Sequence, residues 1–241
     1  MHIGLFADTH GNIAALRAVL ADGHEQGVAQ WLCLGDIAFR GPAPAECLRA
    51  VMDLDGAVAV MGNTEEWLPV GPPAGEGEDE QRRAAIRRWW DWTIDRLAED
   101  ELQWVRSLPR QRVVPIGRQT LLGLHATADD MEQALPPWAT PEQVRSALPV
   151  GAHAFVACAH VHLPYLRRVD GTTVINPGSA GRPVDDDPRA AYAVLKIEPG
   201  RVAVEFRRID YDIDEIARLA HQRGFPWAKE YEDALRAGRN F

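Results

Sequence analysis

The chain opens as a series of short apolar runs, each ending in a few polar residues and followed by a stretch with helical spacing. Residues 3–6 form the first run, after which Ile13, Leu16, Val19 and Leu20 recur every three or four positions. This change of period predicts a buried strand, a turn, and an amphipathic helix over 13–24 that Gly27 stops. Further apolar runs at 31–34 and 57–61 flank a helix expected over 46–52, so the first third predicts β-α-β units of a parallel sheet. Residues 69–79 are rich in proline, glycine and acid and predict a surface loop or lid. Two helices are expected between 80 and 108, one with Ile86, Trp89, Trp90, Ile94 and Leu97 on a stripe, the other with Leu102, Val105 and Leu108. Trp89, Trp90, Trp92 and Trp104 are more than one stripe can hide. Packing of this helical insertion onto the sheet accounts for them better than a base-stacking platform or a dimer contact.

Beyond Pro109 the period shortens to two. Hairpins are expected between 112–116 and 120–124 and between 165–169 and 172–175, while strands 191–197 and 202–209 flank Pro199-Gly200. An apolar run at 154–159 adds another strand, and a more antiparallel second sheet is expected from this half. A helix over 212–222 and a polar tail complete an α/β chain, read as one domain over 1–241 with 69–109 as a loop and helical insertion.

Composition narrows the function classes. A chain of 241 residues with 46% hydrophobic content can bury one good-sized core. Its net charge of -9 makes the surface repel duplex nucleic acid. The absence of an apolar run of about 18 residues argues against a membrane span, and the start directly in a strand predicts a cytoplasmic protein. Cys33, Cys47 and Cys158 are odd in number, two of them inside apolar runs, which is how reduced core thiols read.

The strand ends carry the chemistry. Asp8 and His10 follow the first run, Asp36 follows Gly35, Asn63 follows Gly62, His125 ends the run at 121–124, and His160 and His162 end the run at 154–159. Carboxylate, amide and imidazole side chains gathered at the carboxyl edge of a sheet suit a divalent metal site. His2, His24, His153 and His221 fall at no such strand end and read as structural.

The order Asp-x-His, Gly-Asp, Gly-Asn, His, then His-x-His resembles the calcineurin-like metallophosphoesterase superfamily. The segment Ile175-Asn176-Pro177-Gly178-Ser179-Ala180-Gly181 is similar to a turn of its small bacterial phosphodiesterase-like branch. That resemblance implies a four-layer α-β-β-α sandwich of two mixed sheets and two divalent ions, with manganese the expected metal and iron or zinc compatible with the same donors. By resemblance, Asp8, His10 and His162 hold one ion, Asn63, His125 and His160 the other, and Asp36 bridges both. A hydroxide between the ions is then the implied nucleophile, with Asp36 and Asn63 the residues assigned to catalysis. Arg40 and Thr64 are assigned to the substrate. Arg40 sits in Gly-Asp-x-x-x-Arg-Gly, which resembles a phosphatase motif whose arginine contacts phosphate. Thr64 stands where most members carry the histidine regarded as general acid, which favours substrates with good leaving groups. The implied activity is hydrolysis of nucleotide-type or other small phosphodiesters. Phosphomonoesterase or protein phosphatase, dinucleoside polyphosphate hydrolase, and a metal-free interaction scaffold are the alternatives. The expected partner is a small phosphoester, and the pattern leaves the oligomeric state open.

Overall fold

The computed structural model describes residues 1–77 and 79–240, so Glu78, within the expected 69–79 loop, and Phe241 lie outside the described residues. Strand β1 (His2–Phe6), helix α1 (Ile13–Glu25), β2 (Val28–Cys33), α2 (Pro44–Met52), β3 (Ala57–Ala59) and the short α3 (Asn63–Trp67) follow the predicted alternation. β1, β2 and β3 pair in parallel. Helices α4 (Glu80–Ile94) and α5 (Glu99–Ser107) make the insertion. Then come β4 (Gln111–Ile116), β5 (Gln119–Leu124), α6 (Pro141–Ala147), β6 (Phe155–Ala157), β7 (Pro164–Val169) and β8 (Thr172–Pro177). The chain closes with β9 (Ala190–Glu198), β10 (Arg201–Ile209), α7 (Ile213–Gln222) and α8 (Ala228–Ala237).

Two five-stranded mixed sheets result, in orders β10-β9-β1-β2-β3 and β4-β5-β6-β8-β7. Ile3 and Leu5 of β1, Leu32 of β2, Leu121 of β5, Phe155 of β6, Ile175 of β8 and Leu195 of β9 form one apolar layer between the sheets. On the far side of the first sheet, Phe6, Trp31 and Tyr192 pack with Leu16 of α1, Leu48 of α2, Trp89 of α4, Val105 of α5, Ile216 of α7 and Tyr231 of α8. Val144 and Ala147 of α6 cover Val156 and Val174 on the outer face of the second sheet. This is the α-β-β-α layering that two half-buried sheets require, each with one face on its partner and one under helices.

Three details differ from the sequence reading. The second sheet has a parallel centre, β5-β6-β8, with antiparallel strands only at its two edges. The β9–β10 hairpin joins the first sheet against β1, because residues 190–195 are buried on both faces and so need an interior position. The polar tail contains α8, whose Tyr231, Ala234 and Leu235 lie at helical spacing on one buried face. The tryptophans behave as packing residues: Trp89 is buried, and Trp90, Trp92 and Trp104 are half-buried against the same helix-side core. All three cysteines are buried and reduced. No helix among the described residues is long and apolar enough to cross a membrane.

Candidate active site

The turns that follow β1, β2 and β6 are held in a backbone conformation that L residues rarely adopt. Asp8, His10, Asp36, Arg40, His160 and His162 all have positive φ, between 47° and 70°. Such residues cost roughly 1–3 kcal/mol each and persist only where the surroundings over-determine them. Here the surroundings do. Backbone ladders run on past the strand ends, from Asp8 N to Gly35 O (3.0 Å), His10 N to Asp36 O (2.9 Å) and Gly11 N to Ile37 O (2.8 Å). The Asn-Pro-Gly-Ser turn ties the same loops from the other side: Ser179 Oγ donates to Asp8 O (2.7 Å) and Asn176 Nδ2 to Ala159 O (2.9 Å). Gly41 and Gly181 let these loops close, since a Cβ on either would lie 1.8 Å from the carbonyl oxygen of His10 or Thr9.

All seven residues expected to ligate metal converge on one point. His10 donates its Nδ1 hydrogen to Phe39 O (2.9 Å), His162 to Arg182 O (2.6 Å) and His125 to Leu34 O (2.7 Å). A carbonyl only accepts, so each ring is fixed with its Nε2 lone pair facing inward. Burial pushes His10 down to about 3, against the pull of Asp36, and holds His162 well below the usual histidine range. Both rings are therefore neutral at pH 7, yet their Nε2 atoms are 3.2 Å apart. Two lone pairs cannot hydrogen-bond to each other. His125 Nε2 likewise faces Asn63 Oδ1 at 3.1 Å, and its ring meets that of His160 at 5.2 Å between centroids.

The carboxylates complete a set of acceptors. Asp36 Oδ2 lies 3.6 Å from His10 Nε2, and Oδ1 lies 3.6 Å from His125 Nε2. Burial would raise the Asp36 carboxyl, but the imidazoles of His125, His10 and His160 and the Thr64 hydroxyl outweigh it and hold it below the usual range. Burial and the charge of Asp36 push Asp8 well up. Its Oδ1, 3.5 Å from His162 Nε2, has no hydrogen-bond partner among the described residues. A buried cluster of inward lone pairs with an orphaned carboxylate oxygen needs cations, so the donor set fits divalent metal.

Thr64 and Arg40 both line the cleft beside this cluster, a concavity of about 430 Å³. Thr64 is buried and donates its hydroxyl to Asp36 Oδ1 at 2.8 Å, joined there by its backbone N–H at 3.1 Å. The Arg40 guanidinium packs over Phe39 and Trp89, and its Nε finds no hydrogen-bond partner among the described residues. Two contributors escaped the sequence reading. Glu65, fully buried, accepts from the backbone N–H groups of Asp36 (2.6 Å), Ile37 (2.8 Å) and Gly62 (3.1 Å). It stands two residues after Asn63 and directly after Thr64, so an acidic residue at the end of the Gly-Asn turn was visible in the sequence. Arg182 lines the cleft, receives His162 on its carbonyl and donates to Asn240. Nothing short of the three-dimensional turn singled it out.

The sequence pattern of the calcineurin-like phosphoesterase superfamily domain matches residues 1–200, a span that contains all of these motifs. This chain belongs to that superfamily. It is thus a phosphoester hydrolase of the metallophosphoesterase class, with divalent metal as the family's cofactor. A metallophosphoesterase from Sphaerobacter thermophilus superposes with a TM-score of 0.81 over 99% of each chain at 27% identity. An uncharacterized protein of Methanocaldococcus jannaschii is 27% identical over 226 residues, 88% of each chain. An archaeal phosphodiesterase, 17% identical, shares the fold with a TM-score of 0.51 over 86% of this chain and 100% of its own.

Proposed function

We propose that this phosphoesterase is a phosphodiesterase that uses two divalent ions to hydrolyse small nucleotide-type phosphoesters with good leaving groups. The observation that carries the reading is the 3.2 Å approach of two neutral imidazole lone pairs, His10 and His162, beside the buried carboxyl groups of Asp8 and Asp36. Asp8, His10 and His162 would hold one ion, and Asn63, His125 and His160 the other. Asp36 belongs to both sets, because its two oxygens face histidines of different sets. Manganese is the expected metal, and iron and zinc suit the same mixed donors. When bound, such ions polarise a phosphoryl oxygen and lower the pKa of water toward neutrality. Everything else falls to the chain. Thr64 holds Asp36 by two hydrogen bonds, Glu65 holds the backbone on which Asp36 sits, and Arg40 offers its guanidinium to a non-bridging phosphoryl oxygen.

Thr64 also sets the substrate. A hydroxyl committed to Asp36 cannot protonate a departing alkoxide, so the leaving group must depart as a stable anion. Rates on bis-p-nitrophenyl phosphate should therefore exceed those on alkyl diesters by roughly a hundredfold or more, the lower bound for a missing general acid. Both activities should vanish with a chelator and return with Mn²⁺. Equal rates on aryl and alkyl diesters would overturn the leaving-group argument, and full activity after exhaustive chelation would overturn the metal reading.

Arg40→Lys isolates the guanidinium. It keeps the charge but loses the planar fork that gives phosphate two parallel hydrogen bonds. One charge-assisted bond is worth about 1.5–3 kcal/mol, so kcat/KM should fall roughly ten- to a hundredfold. A Lys variant with wild-type kcat/KM on both diester and monoester would return Arg40 to a packing role.

A further inference from the structure

The cleft at the metal-ligand cluster does not end at Arg40. Arg40 and Glu76 also wall a second concavity with Gly75, Gly77 and Arg82, and Arg82 and Asp79 in turn wall a third of about 560 Å³ lined by Trp89 and Trp227. The three are consecutive, each sharing an arginine with the next.

The two shared arginines have unusual surroundings. Their guanidiniums both lie over the Trp89 indole, Arg40 at 5.7 Å and Arg82 at 5.4 Å from its centre. Neither makes an ion pair among the described residues, although Glu76 and Asp79 stand on the same walls. The Arg40 guanidinium is half-buried, and its burial and the repulsion of Arg82 pull it below the usual arginine range against the attraction of Asp36 and Glu76. Arg182 faces the same two arginines from the metal side. A row of like charges sharing one aromatic wall suits an anion longer than a single phosphate. Beyond it the chemistry changes. Trp227 is half-buried in the third cleft, edge-on to Trp89 at 5.1 Å, with Asp79, Gln81 and Glu230 on the rim. An indole wall with carboxylates at its edge suits a planar heterocycle that carries amino donors.

We propose that the natural substrate is a nucleotide bearing at least two consecutive phosphates, with the scissile phosphoryl at the metal ligands, the next phosphate between Arg40 and Arg82, and an amino-bearing base against Trp227. The inference rests on the phosphodiesterase reading and names its substrate class. Hydrolysis then adds water across a phosphoanhydride: the water oxygen bonds to the scissile phosphorus, the bridging P–O bond breaks, and the second fragment leaves as a nucleotide phosphate. The released proton passes to solvent. Such a leaving group needs no general acid, which is consistent with Thr64 at its position.

The test is binding of α,β-methylene-ADP, whose methylene bridge resists hydrolysis, to the Mn²⁺-supplemented protein, followed by calorimetry and tryptophan quenching. Methylenebisphosphonate supplies the same two phosphorus groups without a base, and AMP supplies a base with one phosphate. Wild-type protein should bind α,β-methylene-ADP at least tenfold tighter than either. Arg82→Ala should weaken it about tenfold, and Trp227→Leu should abolish the quenching and the advantage over methylenebisphosphonate. Arg87→Ala removes an exposed arginine of the same helix and should change nothing, with all variants checked for a wild-type melting curve. Equal binding of all three ligands, an Arg82→Ala loss below twofold, or the same loss in Arg87→Ala would each overturn the proposal. Because bis-p-nitrophenyl phosphate reaches only the metal side, its hydrolysis by wild-type protein tests the phosphodiesterase reading separately: activity there with a failed binding test rejects the nucleotide alone.

Discussion

Asp36→Ala should strip the protein of bound metal and lower bis-p-nitrophenyl phosphate hydrolysis by roughly a thousandfold or more. Each Asp36 oxygen lies 3.6 Å from the Nε2 of a different histidine, His10 on one side and His125 on the other. Removing it takes a charged donor from both proposed ion positions at once. Metal ions contribute several kcal/mol to transition-state stabilisation, and each 1.4 kcal/mol is a factor of ten. Asn63→Ala supplies the comparison, for Asn63 Oδ1 lies 3.1 Å from His125 Nε2 and belongs to one proposed ion set alone. It should lose one ion's worth of metal and roughly ten- to a hundredfold in rate. Metal content by mass spectrometry after gel filtration, read beside kcat, decides the matter: an Asp36→Ala protein that keeps two ions per chain would end the bridging assignment.

Glu65→Ala should cost more stability than any other single truncation near the cleft, although Glu65 touches neither proposed metal nor substrate. The carboxylate is fully buried and accepts backbone hydrogens from Asp36, Ile37 and Gly62, with Ala38 N at 3.4 Å. Alanine would leave these donors in an apolar interior with nothing to meet them. Each buried donor left unsatisfied costs about 1–3 kcal/mol, so the set together should cost about 3–5 kcal/mol after partial relaxation. In a domain of this size that is a fall of about 10 °C in Tm. Glu65→Gln retains the volume and one carbonyl oxygen and should lose about half as much. Thermal melts of the chelated proteins separate this structural cost from metal loss, and an alanine variant melting within two degrees of wild type would contradict it.

Much of the site was legible because its residues sit where β-strands stop. An apolar run followed by Gly-Asp, Gly-Asn or His-x-His is a local pattern, and five such patterns in order needed no long-range information. The partners of each strand were another matter. Whether β9 pairs with β8 or crosses back to β1, some 190 residues earlier, depends on which edge offers burial on both faces, a property of the assembled sheets. α8 was missed for a simpler reason: Ala228-Lys229-Glu230-Tyr231-Glu232-Asp233 reads as solvated chain until α7 gives Tyr231 and Leu235 a face to cover. Glu65 and Thr64 illustrate a third limit. Composition tells that a carboxylate and a hydroxyl follow Asn63, but only the fold reveals that both turn back onto the Asp36 loop. The left-handed backbone at Asp8, His10, Asp36, His160 and His162 belongs to the same class, since aspartate and histidine tolerate that region better than most residues but only the surrounding loops select it at these positions.

The distribution of the inward-facing donors between the sheets has one more consequence. Asp8, His10, Asp36 and Asn63 leave the first sheet, whereas His125, His160 and His162 leave the second. Whatever lodges among them is gripped by both halves of the sandwich at once, like a rivet through two plates. Between the sheets lies mostly apolar contact, which slides more readily than it parts, with hydrogen bonds such as Ser179 Oγ to Asp8 O and His125 Nδ1 to Leu34 O at this edge. An occupied site therefore pins the alignment of one sheet on the other, and the strand ends that form the cleft cannot drift apart without first letting go of its contents.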